Sequence, residues 1–147
     1  MDSKLLHQLA RFCAYQERCT QDLHRKMQDL EIPQTEYESY IQWLTEENYF
    51  NEKRFAEIFA RSKFNQKQWG RNKIRFELKK RNLSAELIQC GLAEIEEQDY
   101  LKVLKNLIEK TLQKNRSLNN WEKNQKTVNY LTSRGFELEL IVSLIKN

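Results

Sequence analysis

Histidines, cysteines, clustered carboxylates and glycine-rich loops carry most protein chemistry, and this chain uses them sparingly. His7 and His24 lie seventeen positions apart, outside any metal-ligand spacing. Cys13, Cys19 and Cys90 are odd in number and have no zinc-type spacing, so they read as buried thiols. Gly70, Gly91 and Gly135 stand singly, which leaves no loop to cradle a phosphate. The carboxylates of "TEEN" (45–48) lack the ladder of Asp ligands that a calcium loop needs. Catalysis requires a positioned nucleophile, an acid–base pair, a metal or a cofactor. None is spelled out, so the chain reads as non-catalytic, with no cofactor and no metal.

The stretch that stands out is "KQWGRNKIRFELKKR" (67–81). Its spacing predicts a helix from about Arg71, with Arg71, Arg75 and Lys79 on one stripe and Ile74 and Leu78 turned toward a core. Lys73 and Lys80 add a second basic row, and Trp69 precedes the helix as either a buried anchor or a platform. Like charges at this spacing weaken an isolated helix by ~0.2–0.5 kcal/mol per pair, which implies use against an anionic partner. A nucleic-acid backbone and an acidic protein groove both meet that description. The candidate binding residues are Arg61, Lys63, Lys67, Trp69, Arg71, Lys73, Arg75, Lys79, Lys80 and Arg81. Lys123, Lys126 and Arg134 form a second basic set.

The elements that must position these residues follow from composition. The chain has 147 residues, 39% hydrophobic and 31% charged, with only three glycines and one proline. Sheet-rich folds need more turn residues, so helices are expected. No stretch reaches the ~20 apolar residues of a membrane span. "MDSKLLHQLARF" lacks the apolar core and cleavage site of a signal peptide, so an intracellular protein is expected. Charge is segregated: residues 28–52 carry seven acids and no base, whereas 53–81 carry eleven bases and two acids. An acidic block (82–101) and a further basic block (102–126) follow.

Three stretches overlay: "MQDLEIPQTEYESYI" (27–41), "LKKRNLSAELIQCGL" (78–92) and "LTSRGFELELIVSLI" (131–145). Apolar residues recur at relative positions 0, 5, 10 and 14. They are Met27, Ile32, Tyr37 and Ile41; Leu78, Leu83, Ile88 and Leu92; and Leu131, Phe136, Ile141 and Ile145. Each copy reads as a helix end, a turn pinned by the apolar residue at position 5, and a new helix. Ser84 is placed to cap one such helix, Pro33 to begin another, and Gly135 to end a third in left-handed backbone. An amphipathic helix precedes each corner, lined by Leu5, Leu6, Leu9, Phe12 and Cys13; by Phe55, Ile58 and Phe59; and by Leu101, Leu104, Leu107, Ile108 and Leu112. The expected architecture is all-α: three tandem three-helix repeats (1–48, 49–96 and 97–147). Stacked on a continuous core, they would form an elongated, curved, solenoid-like molecule.

The central repeat resembles the RecX family of RecA regulators. The family pattern is matched by Tyr49–Phe50, Asn51–Glu52, Arg54–Phe55–Ala56, Phe59, Gly70, Ile74, Glu77–Leu78 and Leu83. "NYLTSRGFELELI" is similar to the family's closing motif through Leu131, Arg134, Gly135 and Phe136, and "YQERCTQDLHRKM" is a looser match to its first repeat. Asn48 stands where the family usually has Gly, and Asn also tolerates positive φ. The resemblance implies a monomeric cytoplasmic protein of DNA repair, recombination and the SOS response. Its partners would be RecA and the groove of RecA filaments on single-stranded DNA, with direct DNA contact possible. It implies inhibition of ATPase, strand exchange and coprotease activities. The alternative is a helical nucleic-acid-binding protein acting through the central basic helix. For Arg54 a structural salt bridge is expected ahead of direct binding, and Glu52 is expected to cap or pair locally.

Overall fold

The computed structural model describes residues 1–146, and among these it has nine α-helices, one 3₁₀ turn and no strand. The first triplet is α1 (Ser3–Tyr15), α2 (Thr20–Asp29) and α3 (Tyr37–Glu46), with the 3₁₀ turn Gln34–Glu36 before α3. The second is α4 (Glu52–Lys67), α5 (Arg71–Lys80) and α6 (Ala85–Leu92); the third is α7 (Glu97–Lys114), α8 (Asn120–Ser133) and α9 (Leu138–Lys146). Short polar side chains start several of them. Asp2, Asn51, Ser84 and Asn119 each accept a hydrogen bond from a main-chain N–H of the first turn.

The three corners share one hydrogen-bond pattern. The residue at relative position 4 is left-handed in each: Glu31 (φ 58°), Asn82 (φ 61°) and Gly135 (φ 100°). The next N–H reaches back five residues, Ile32 to Met27 (3.0 Å), Leu83 to Leu78 (3.3 Å) and Phe136 to Leu131 (3.0 Å). The left-handed residue itself donates to Gln28, Lys79 and Thr132 respectively. This paired closure satisfies two carbonyls at the helix end and buries the apolar side chain that follows. The repeat seen in the residues is therefore a repeat of backbone geometry. Asn48 is also left-handed (φ 63°) and ends α3 in the same way.

The first corner departs from expectation. Pro33 does not begin the third helix; it precedes the 3₁₀ turn, and α3 starts only at Tyr37. The added residues rotate the helix, so Tyr40 and Leu44 fill the core while Tyr37 and Ile41 are half-buried. In α4, Ile58 faces outward, and the buried side is Phe55, Ala56, Ala60 and Phe64. Small Ala56 lets α6 approach closely: a side chain at Gly91 would stand 2.7 Å from the Ala56 carbonyl oxygen.

The core is not continuous along the whole molecule. One cluster, including Leu9, Leu23, Met27, Tyr40 and Leu44, belongs to the first repeat and includes Phe50, beyond the boundary expected at residue 48. A second cluster runs unbroken through repeats two and three, with Phe64, Ile74, Leu78, Tyr100, Leu104 and Phe136 inside it. Cys19 is the one buried residue before position 50 that joins this second cluster. The accessible surface is 9614 Å² for 17.9 kDa. A compact monomer of this mass exposes about 8,000 Å², so the molecule is extended.

Candidate partner interface

Repeats two and three meet backbone to backbone. Gly70 N–H donates to the Arg134 carbonyl at 2.8 Å, and Asn72 N–H to the Gly135 carbonyl at 2.9 Å. Around this contact Arg71, which opens the expected basic stripe of α5, turns inward. Arg71 donates to Glu137 at 2.8 Å and pairs with Glu97, and its guanidinium lies 3.8 Å from the Tyr100 ring centre. The Tyr100 hydroxyl accepts from Arg71 N–H at 3.0 Å and donates to Glu137. Burial opposes the Arg71 charge, but the Glu137 and Glu97 carboxylates outweigh it and hold the group firmly ionised. The Tyr100 phenol is pushed up, first by burial and then by its bond to Glu137. Arg71 therefore joins two repeats, and its side chain is only 20% exposed.

Other bases are similarly occupied. Arg134 donates to the Lys67 carbonyl and so closes the end of α4. Arg61 pairs with Glu94 at 2.6 Å. Arg81 binds the Glu77 carbonyl at 2.9 Å and stands 4.9 Å from the Phe59 ring. Arg54 forms the expected salt bridge, to Glu17 at 2.7 Å, and also donates to the Asn48 carbonyl at 3.2 Å. Glu52 does not pair with Arg54; it accepts from Thr20 N–H at 2.9 Å, across the seam to the first repeat. There it meets the positive start of α2.

What remains available is a lysine-rich face on α4 and α5. Trp69 is half-buried against Phe59 and the core, with Lys63 Nζ 5.1 Å and Lys73 Nζ 4.6 Å from its ring. It is an anchor that lysines cover, not an open platform. Lys67 and Lys79 are exposed with no ion pair among the described residues, Arg75 donates to Asn72 at 2.8 Å, and Lys80 makes a long 3.4 Å contact to Glu77. On α5, Phe76 is 59% exposed, with Lys80 Nζ 5.5 Å from its ring. Ile74 and Leu78 face the core, and Phe76, midway between them in sequence, falls on the opposite side of the helix. That spacing was legible in the residues, although Phe76 is absent from the expected set. Tyr100, Glu97 and Glu137 lie too far along the chain to betray their grip on Arg71.

Lys73 also reaches the junction, since a side chain at Gly135 would lie 2.4 Å from Lys73 Cβ. The Lys67 carbonyl, the base of the Lys73 side chain and the Arg134 guanidinium thus meet where the repeats join. Lys123 and Lys126 lie further along α8. Phe55, Phe50 and Phe136 are core residues, and Tyr49 stacks on Trp43 at 5.9 Å.

Residues 51–92 match the family model for the second three-helix domain of RecX, and residues 97–145 match that for its third. The two cover well over half of the chain. This chain belongs to the RecX family. It is similar to the regulatory protein RecX of Lactobacillus gasseri, 27% identical over 139 residues that span 95% of this chain and 51% of the relative. The RecX of Clostridium perfringens is 25% identical over 108 residues, covering 72% of this chain and 50% of that protein. The chain thus spans about half the length of the curated RecX proteins it matches. Among solved structures, RecX from Lactobacillus salivarius superposes with a TM-score of 0.89 over 98% of this chain and 94% of that one, at 22% identity. A second regulatory protein RecX superposes at 0.87, over 99% of this chain and 73% of that one, at 19% identity. The RecX fold is shared over all three repeats. The basic face lies within the second-domain match, and the carboxylates that hold Arg71 within the third.

Proposed function

We propose that this RecX-family chain is a non-catalytic regulator of the bacterial recombinase RecA. It acts in the cytoplasm as a monomer and needs no cofactor. It binds RecA and lodges in the groove of RecA filaments on single-stranded DNA, where it lowers ATP hydrolysis, strand exchange and coprotease activity by occupying space. Its docking surface is the face carrying Lys63, Lys67, Lys73, Arg75, Lys79 and Lys80, with Phe76 as the apolar anchor. The observation that carries this reading is Phe76, an aromatic 59% exposed with the weakly paired Lys80 5.5 Å from its ring, within a RecX repeat. Aromatic anchors at the centre of a charged patch are the residues on which binding energy concentrates. The surrounding charges set encounter rate and partner choice.

The test is co-sedimentation with RecA filaments assembled on single-stranded DNA. The chain should pellet with filaments, and Phe76→Ala should leave most of it in the supernatant. Equal pelleting of the two would overturn Phe76 as the anchor. A chain that stays in solution with filaments present would overturn the partner. The second reading is a nucleic-acid-binding protein using the same helix, favoured by the stacking surface that Phe76 offers. It requires binding to naked DNA that falls steeply with salt and is lost with Lys79 and Lys80.

A further inference from the structure

The first repeat has a basic groove of its own, far from α5 in the chain and ahead of residue 51, where the family-model matches begin. Gln8, Arg11, Phe12 and Tyr15 recur at helical spacing along one side of α1. With Arg18 and Lys26 they line one open groove of about 350 Å³, so three bases and no acid face it. The acids nearest to Arg18 in sequence are engaged elsewhere. Glu17 pairs with Arg54 at 2.7 Å, and Asp22 accepts from Cys19 N–H at 3.1 Å. Arg11, Arg18 and Lys26 have no ion pair among the described residues. Arg18 is nevertheless held in place. Its Nε donates to the Phe12 carbonyl at 2.9 Å, and its guanidinium carbon lies 3.6 Å from the centre of the Phe12 ring. Lys26 Nζ lies 5.4 Å from the same ring. Tyr15, 83% exposed, closes the end of the groove with its ring centre 5.9 Å from the Arg18 guanidinium carbon.

We infer that this groove of the first repeat binds a free nucleotide carrying a di- or triphosphate, with the phosphates on Arg11, Arg18 and Lys26 and the base stacked on Tyr15. A guanidinium presents a planar fork that meets phosphate oxygens two at a time. Phe12 spends only the Nε of Arg18, so the two terminal nitrogens keep their donors while the plane of the fork is already fixed. Less order is then lost when the ligand arrives. Three uncompensated positive charges suit a ligand that concentrates several negative ones, as a phosphate chain does and a single carboxylate does not. One face of Phe12 is covered by Arg18, which leaves Tyr15 as the ring free to stack. Stacking on an aromatic ring accepts any base. From Gln8 to Tyr15 the groove follows about 10 Å of α1. Its volume falls in the range of small-molecule sites, ~300–1,000 Å³.

The test needs no recombinase, so its outcome is separate from that of the RecA reading. ATP is titrated into the full chain in magnesium-free buffer and the heat is read, with pyrophosphate as a second probe that lacks the base. ATP should bind saturably, and Arg18→Gln with Lys26→Gln should weaken it at least tenfold. Arg18 also packs on Phe12, so the exposed Arg11→Gln is the second variant, and it should weaken ATP about threefold with helicity equal to the parent's. Tyr15→Ala should weaken ATP about tenfold and leave pyrophosphate binding unchanged, and Tyr15→Phe should restore ATP binding. Lys79→Glu with Lys80→Glu on α5 should bind ATP as the parent does. Absence of saturable ATP binding would overturn the proposal, as would ATP binding that all the first-repeat variants leave unchanged. Displacement of ATP by an oligothymidylate at equal phosphate concentration would assign the groove to a strand and also overturn it.

Discussion

Gly70 and Gly135 face each other so closely that neither position has room for a side chain. A Cβ on Gly70 would stand 2.3 Å from the Gly135 carbonyl carbon and from Phe136 N. A Cβ on Gly135 would stand 2.5 Å from Lys73 N. The obstacles are backbone, which does not swing aside. Gly70→Ala should therefore cost about 1–3 kcal/mol, read from the urea midpoint. Gly135→Ala meets the same crowding at a φ of 100° and should cost at least as much. Both open one junction, so the double variant should lose less than the sum. A Gly70→Ala midpoint equal to the parent's would show that the repeats do not meet this way.

Arg71 and Glu137 should be energetically coupled. Their side chains are 20% and 23% exposed, so the pair is sheltered compared with surface ion pairs. A cycle of Arg71→Gln and Glu137→Gln should give a coupling of about 1 kcal/mol. Tyr100→Phe removes the hydroxyl shared between them and should cost about 1–3 kcal/mol. Zero coupling would free Arg71 for a partner and weaken the distinction drawn between it and Lys79.

Apart from Cys19, which is buried in the second core, the seam between the first repeat and the rest depends on a few polar contacts. Arg54 bridges Glu17, Asn48 and Tyr49, and one Glu17 oxygen is already buried without a partner. Arg54→Ala should cost about 1 kcal/mol, after discounting for partial exposure. Proteolysis should then cut within residues 47–51 sooner than in the parent, while the fragment carrying the second and third repeats persists. Unchanged cleavage would mean that the repeats are held by something other than Arg54.

The cysteines divide by environment. Burial is the main cause that raises Cys13 and Cys19 from 9.0 to about 11, whereas Cys90 is half-exposed. At pH 8 a thiol reagent should modify Cys90 first and the other two only as fast as the chain opens. The raised values also set a stability trend. The unfolded chain ionises its thiols more readily, so their contribution is complete below about pH 9 and is lost as pH climbs through 11. Stability that is flat over that interval would contradict the burial of both thiols.

The three-copy pattern of apolar residues was enough to locate the corners, because burying the residue after a left-handed turn needs an apolar side chain at a fixed offset. It did not reveal the left-handed Glu31, since glutamate carries no signal for positive φ. Tyr37 and Ile41 do pack against the first core, but the irregular turn before α3 shifts the helical phase and leaves them half-buried, with Tyr40 and Leu44 inside. The basic stretch was legible as charge. Which charges are consumed internally was not: Glu137, one of the carboxylates that claims Arg71, lies 66 positions away. Lys79 has the same stripe position and no such partner among the described residues.

The central claim is that the lysine face of α5, anchored by Phe76, acts on RecA by occupying the filament groove. The direct measurement is DNA-dependent ATP hydrolysis by RecA on single-stranded DNA, with this chain titrated in. The expected result is inhibition well below one chain per RecA, with Lys79→Glu, Lys80→Glu and Phe76→Ala each shifting the titration to at least about tenfold more protein. An unchanged hydrolysis rate at equimolar chain would contradict it.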